Sequence, residues 1–181
     1  MDDDYYLDKI RKGNTSSYRY FVNKYKDMAF SIAVSVVKDE FAAEEVVQDA
    51  FLNAFNGLKS FNRQSKFSTW LYRIVTNEAF KRLKKMKKEQ VVSFVDNYNH
   101  QAADKSSFAS LNEDEQTYII NEALKRLSPN ESLVLRLFYL EEESIKEVSQ
   151  ITGWSESKVK VTLHRARKNM YLIFTETLNF K

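Results

Sequence analysis

The chain has 181 residues, a net charge of +3 and 43% hydrophobic residues, which suits one ordinary domain or two small ones with packed cores. It has no cysteine, which excludes disulfides and thiolate metal sites and fits a reducing cytosol, and His100 and His164 lie too far apart in sequence to form a ligand pair. With three glycines and one proline it lacks the turn residues that hairpins need, so an all-α fold is predicted.

Residues 3 to 11 read as a first helix, closed by Gly13 and Asn14. A second helix is predicted from about Ser16 to Lys38, with Tyr18, Phe21, Val22, Tyr25, Met28, Ile32 and Val36 on its buried side. Asp39 is the expected N-cap of a third helix running to about Leu58. Val47, Phe51, Ala54 and Leu58 share one face of it, while Glu44, Glu45, Gln48, Asp49 and Leu52 lie largely on another. These helices and the next are predicted to form a bundle.

The fourth helix is expected from about Lys66, capped by Ser65 or Ser68. From Lys59 to Lys88 there are ten Lys or Arg against one acid, Glu78, a local charge of +9 on a chain of +3. Phe61, Phe67, Trp70 and Tyr72 stand just ahead of this run. Cations neutralise phosphates, and aromatic faces receive unstacked bases, so the stretch reads as a nucleic-acid surface. Trp70, Arg73, Asn77, Lys81, Lys84 and Lys88 recur at steps of three and four and form one stripe, with Phe67, Leu71, Ile74 and Val75 inward.

Between Glu89 and Asn112 the helical period breaks down, which predicts a linker with a short apolar anchor at Val91 to Val95 and hence two domains. Helices return from Glu113 to Leu127, stopped by Ser128-Pro129, and from Glu131 to about Leu140. Ser144 and Glu147 form a capping box that opens a short helix with Ile145, Val148 and Ile151 inward. Gly153 closes it, and Ser155 caps a last helix that buries Val159, Leu163, Ala166 and Met170. Two short helices around a glycine turn, the second basic on its outer face, are a helix-turn-helix signature. Lys160 and His164 are candidate base readers and Val161 a candidate for thymine-methyl contact. Ser157, Lys158, Arg165, Arg167 and Lys168 complete the expected DNA surface, the last three as phosphate contacts.

AEEVVQDAFLNAF at Ala43 to Phe55, FSTWLYRIVTN at Phe67 to Asn77 and the ending SIKEVSQITGWSESKVKVTLHRAR together resemble bacterial RNA polymerase sigma factors of the extracytoplasmic-function group, in the sigma-70 family. The resemblance implies an all-α chain of two small helical domains, a four-helix region 2 (1–88) and a helix-turn-helix region 4 (113–181), joined by a linker (89–112). It also implies that Glu45, Gln48, Asp49 and Leu52 dock on the β′ clamp helices of core RNA polymerase, and that region 4 meets the β flap. Phe61, Asn62, Arg63, Lys66 and Asn77 would capture an unstacked base of the −10 element. Trp70 and Tyr72 would support strand separation, while Arg73, Lys81 and Lys84 hold the backbone. The last helix would read the −35 element. The loop Asn62-Arg63-Gln64-Ser65 and the pair Val161-Thr162 depart from the group's common pattern.

The resemblance implies a non-enzymatic protein with no cofactor, metal or small-molecule substrate, whose partners are core polymerase, promoter DNA and an anti-sigma factor. The acidic, polar N-terminus and the short apolar run around Phe30 to Val37 predict a cytoplasmic chain without membrane insertion. A conventional helix-turn-helix regulator is the rival reading, and it leaves the aromatic and basic stretch at Phe67 to Lys88 without a purpose.

Overall fold

The computed structural model describes residues 3–90 and 112–178, so the predicted anchor at Val91 to Val95 lies outside the described residues. Among them the secondary structure is entirely helical: α1 (Asp3–Arg11), α2 (Arg19–Val37), α3 (Glu40–Gly57), α4 (Phe67–Gln90), α5 (Glu113–Arg126), α6 (Pro129–Leu135), α7 (Ile145–Thr152) and α8 (Glu156–Leu178).

Local chemistry sets most of these boundaries. The Asp39 carboxylate accepts from the Ala42 amide at 2.7 Å and starts α3. Reciprocal capping boxes start α5 (Asn112 with Glu115) and α7 (Ser144 with Glu147), and at the start of α6 the Glu131 carboxylate accepts from the Ser128 amide and hydroxyl. Gly153 ends α7 at φ 72, a left-handed conformation that glycine adopts without a Cβ penalty. The expected serine cap of α4 is not formed. Ser68 is already inside the helix, and Ser65 Oγ donates to the Lys66 carbonyl, which itself accepts from the Trp70 amide. Two further boundaries differ from the sequence reading. A 3-10 turn (Thr15–Tyr18) precedes α2, and α6 begins at Pro129 and passes into a π turn (Arg136–Leu140).

Helices α2, α3 and α4 pack on one another around Phe21, Ile32, Val36, Val46, Leu71 and Val75, all essentially sealed from solvent. On α3 the expected Phe51 and Ala54, and Leu58 just past its end, are buried, Val47 is only partly so, and the inward face widens to include Ala43, Val46 and Ala50. In the second half, α6, α7 and α8 enclose Leu133, Leu137, Val148, Ile151, Val159 and Leu163.

The two halves touch. α7 packs on α4, and α6 packs on α2. Lys66 Nζ lies 2.7 Å from Glu147 Oε1, Lys38 Nζ donates to the Leu124 carbonyl at 2.7 Å, and Arg136 Nε donates to Ser35 Oγ at 2.9 Å. Burial, with Arg136 nearby, pushes the Lys38 ammonium down to about 7.

Candidate polymerase and nucleic-acid interface

Three surfaces carry the residues singled out from the sequence. On α3, Glu45, Gln48, Asp49 and Leu52 are all exposed, and Leu52 keeps 59% of its surface in solvent. Leu52 borders an open groove with Tyr18, Val22, Phe51 and Phe55, so a mostly apolar hollow adjoins an acidic helix face. Glu45 is 2.8 Å from Arg82 of α4, which ties the acidic face to the basic helix.

The second surface is α4 with the loop before it. Arg73, Asn77, Lys81, Lys84 and Lys88 are exposed along one side, and Asn62, Arg63 and Lys66 are exposed in the loop. The aromatic members are less accessible. Phe61 and Tyr72 are buried, and Trp70 is half-buried against Phe61 and Phe67, with ring centroids 5.0 and 5.5 Å away. A Cβ on Gly57 would stand 3.3 Å from the Trp70 ring, so the glycine allows α3 to end directly on the indole. These rings position the loop from behind, while polar and cationic groups face outward.

The third surface is α8. Val159, Leu163 and Ala166 face inward, leaving Ser157, Lys158, Lys160, Val161, His164, Arg165, Arg167 and Lys168 all exposed. Lys158 Nζ sits 4.2 Å over the Trp154 ring, and the Tyr139 hydroxyl lies 3.2 Å from Arg167 Nη1, which orients two of the cations.

Between the second and third surfaces lies a carboxylate pair. Hydrogen bonds from Lys66 and Ser144 hold Glu147 down at about 2, whereas burial and the neighbouring Glu147 push Glu143 up to about 7. The carboxyl of Glu143 ordinarily titrates at 4.5, so the folded chain holds its proton more tightly than the unfolded chain does. Its stabilising contribution is complete below 4.5 and is lost as pH rises through about 7. Glu143→Gln is therefore expected to flatten the fall in thermal midpoint between about pH 5 and about pH 8. Parallel slopes for parent and variant would contradict this assignment.

Two family models match the chain, sigma-70 region 2 over residues 21–89 and sigma-70 region 4 over residues 118–170. The RNA polymerase sigma factor YlaC of Bacillus subtilis (strain 168) is 34% identical over 133 residues, which cover 71% of this chain and 77% of that one. The chain belongs to the sigma-70 family. The extracytoplasmic-function RNA polymerase sigma factor SigW of the same organism is 28% identical over 173 residues, 90% of this chain and 91% of that one, which places this sigma factor in the same group. Its fold matches that of the sigma factor RpoE of Bartonella quintana, solved with the anti-sigma factor NepR, at a TM-score of 0.69 and 22% identity over 87% of this chain and 96% of that one. CnrH, solved with the cytosolic domain of CnrY, matches at a TM-score of 0.68 and 19% identity over 96% of this chain and 97% of that one. It is a promoter-recognising sigma factor of RNA polymerase, and no described helix is long and apolar enough to cross a membrane.

Sequence reasoning missed what α1 does. Arg11 Nη2 donates to the Phe61 carbonyl at 2.7 Å, and Arg63 pairs with both Asp4 and Asp8. These partners are about fifty residues apart in sequence, and no local pattern links them.

Proposed function

We propose that residues 1–88 of this sigma factor bind core RNA polymerase and capture the −10 element, and that residues 113–181 read the −35 element, with 89–112 connecting them. The observation that carries the reading is the exposed stripe of Arg73, Asn77, Lys81 and Lys84 beside an exposed polar loop, backed by buried rings. Cations along the stripe hold the strand by its phosphates. Asn62 and Asn77 offer amide donors and acceptors to the edge of an unstacked base, and Trp70 supports strand separation from the buried side of the loop. Melting is offset by capture of bases at roughly 1–3 kcal/mol each.

Glu45, Gln48, Asp49 and Leu52 dock on the β′ clamp helices, where an acidic face with an apolar centre suits a basic partner helix. On α8, Lys160, Val161 and His164 meet base edges, while Arg165, Arg167 and Lys168 hold phosphates. Region 4 also meets the β flap. The protein acts in the cytoplasm, performs no covalent chemistry of its own and uses no cofactor. RpoE of Bartonella quintana, which shares this fold, was solved with the anti-sigma factor NepR, and the same kind of partner is proposed here.

Promoter binding requires the halves to part. The −10 and −35 elements are about 85 Å apart at 3.4 Å per base pair. A compact chain of this length has a radius of gyration of only about 16 Å. Residues 91–111 reach about 70 Å at full extension, enough to separate the halves once the Lys66–Glu147 and Arg136–Ser35 contacts break.

Asn77→Ala is the test of base capture. It is expected to lower open-complex formation by roughly fivefold to a hundredfold while leaving polymerase affinity near that of the parent. Permanganate footprinting on a promoter this holoenzyme transcribes, run beside a polymerase-binding titration, separates the two effects. An equal loss in both would contradict the assignment.

A further inference from the structure

α1 lies outside the residues matched by the region 2 family model, which begin at 21. It is firmly seated: Leu7 is buried, Tyr6 stacks on Tyr20 with centroids 3.9 Å apart, and the Asp3 carboxylate accepts from Lys24, Tyr20 and Tyr25. Burial works against the Asp3 carboxylate, but the bonds from Lys24 and Tyr25 outweigh it and hold its pKa below the ordinary value. The face that α1 turns to the loop carries Asp4 and Asp8, one helical turn apart, with Arg11 at the end of the same helix.

All three reach the segment assigned to base capture. Arg11 Nη2 holds the Phe61 carbonyl at 2.7 Å, where the loop begins. Asp4 Oδ1 lies 3.4 Å from Arg63 Nε, and Asp8 Oδ1 accepts from Arg63 Nη2. Arg63 also has a backbone φ of 60, the left-handed region where a residue with a Cβ is disfavoured. Asn62 Oδ1 completes the turn by accepting from the Gln64 amide at 3.2 Å.

Two carboxylates beside a DNA-binding loop repel phosphate, and they neutralise one of the few cations the loop offers. General attraction to DNA would be stronger without them. What they supply is geometry: a guanidinium paired from two sides is biased away from a phosphate, and its disfavoured backbone conformation is supported. We propose that Asp4, Asp8 and Arg11 are positioning residues that lock the Asn62–Ser65 loop in the one shape that accepts a particular −10 base. The proposal rests on the assignment of that loop to base capture.

The test uses the full chain in holoenzyme with core polymerase. Templates carry a promoter that the parent transcribes, randomised in turn through its −10 and −35 elements. In the Asp4→Asn/Asp8→Asn double variant, discrimination at the captured −10 base is expected to fall roughly threefold to tenfold, as loss of two exposed ion pairs allows. Preference at −35 stays that of the parent, and total template binding holds or rises with a steeper salt dependence. Arg63→Lys, which keeps the charge but loses the two-sided grip, is expected to relax the same position. Unchanged −10 preference in both variants overturns the proposal if Asn77→Ala still lowers open-complex formation as expected. An even loss on all templates with a lowered thermal midpoint also overturns it, because that is a folding defect. If Asn77→Ala has no effect either, the base-capture assignment itself fails.

Discussion

Phe21→Ala is expected to lower the stability of this sigma factor by about 3–5 kcal/mol, the usual cost of truncating a buried phenylalanine. Phe21 is fully buried on α2, and its ring stands 4.2 Å from Phe67, 5.1 Å from Tyr20 and 6.1 Å from Tyr18, centroid to centroid. It therefore links the start of α4 to the aromatic group that seats α1. Domains of this size hold about 5–15 kcal/mol in total, so the loss removes a large share. Urea unfolding followed by circular dichroism should show a lower midpoint with an unchanged slope. A midpoint equal to that of the parent would mean that the ring is not packed as described.

Leu52→Asp is the second large effect, and it has the opposite character. Leu52 is exposed on α3 and contributes little to folding, so the thermal midpoint should stay near that of the parent. If the groove it borders seats a polymerase helix, a charge at its rim should cost at least about 2 kcal/mol of affinity, roughly thirtyfold. Titration of labelled protein with core polymerase measures this directly. Parent-like affinity would move the docking surface off α3. Phe21 and Leu52 thus divide two adjacent faces: one holds the chain together, and the other is left open for a partner.

The features legible in the sequence were those set by neighbouring residues. Asp39, the Ser144 and Glu147 box and Gly153 act within four residues of themselves, so the starts and ends they impose could be read from spacing alone. The stripe on α4 and the outer face of α8 followed from the helical period, and the residues predicted there are exposed, apart from the half-buried Trp70. The buried position of Tyr72 was not legible, because its neighbours are distant in sequence: Tyr25 of α2 lies edge-on to its ring at 6.1 Å, and Glu141 and Glu143 come near it from the other half of the chain. The π turn at Arg136–Leu140 was also missed, and the bond from its first residue, Arg136, to Ser35 joins positions one hundred and one residues apart, which no local propensity encodes. The grip of α1 on Arg63 spans fifty-five residues and escaped on the same grounds.

In vitro transcription on genomic DNA, with purified core polymerase from the source bacterium and mapping of RNA 5′ ends, tests the central claim most directly. The account predicts new starts that appear only with this protein and share −10 and −35 elements at a fixed spacing. Sequence-specific DNA binding without polymerase, together with transcription that does not depend on the protein, would contradict it.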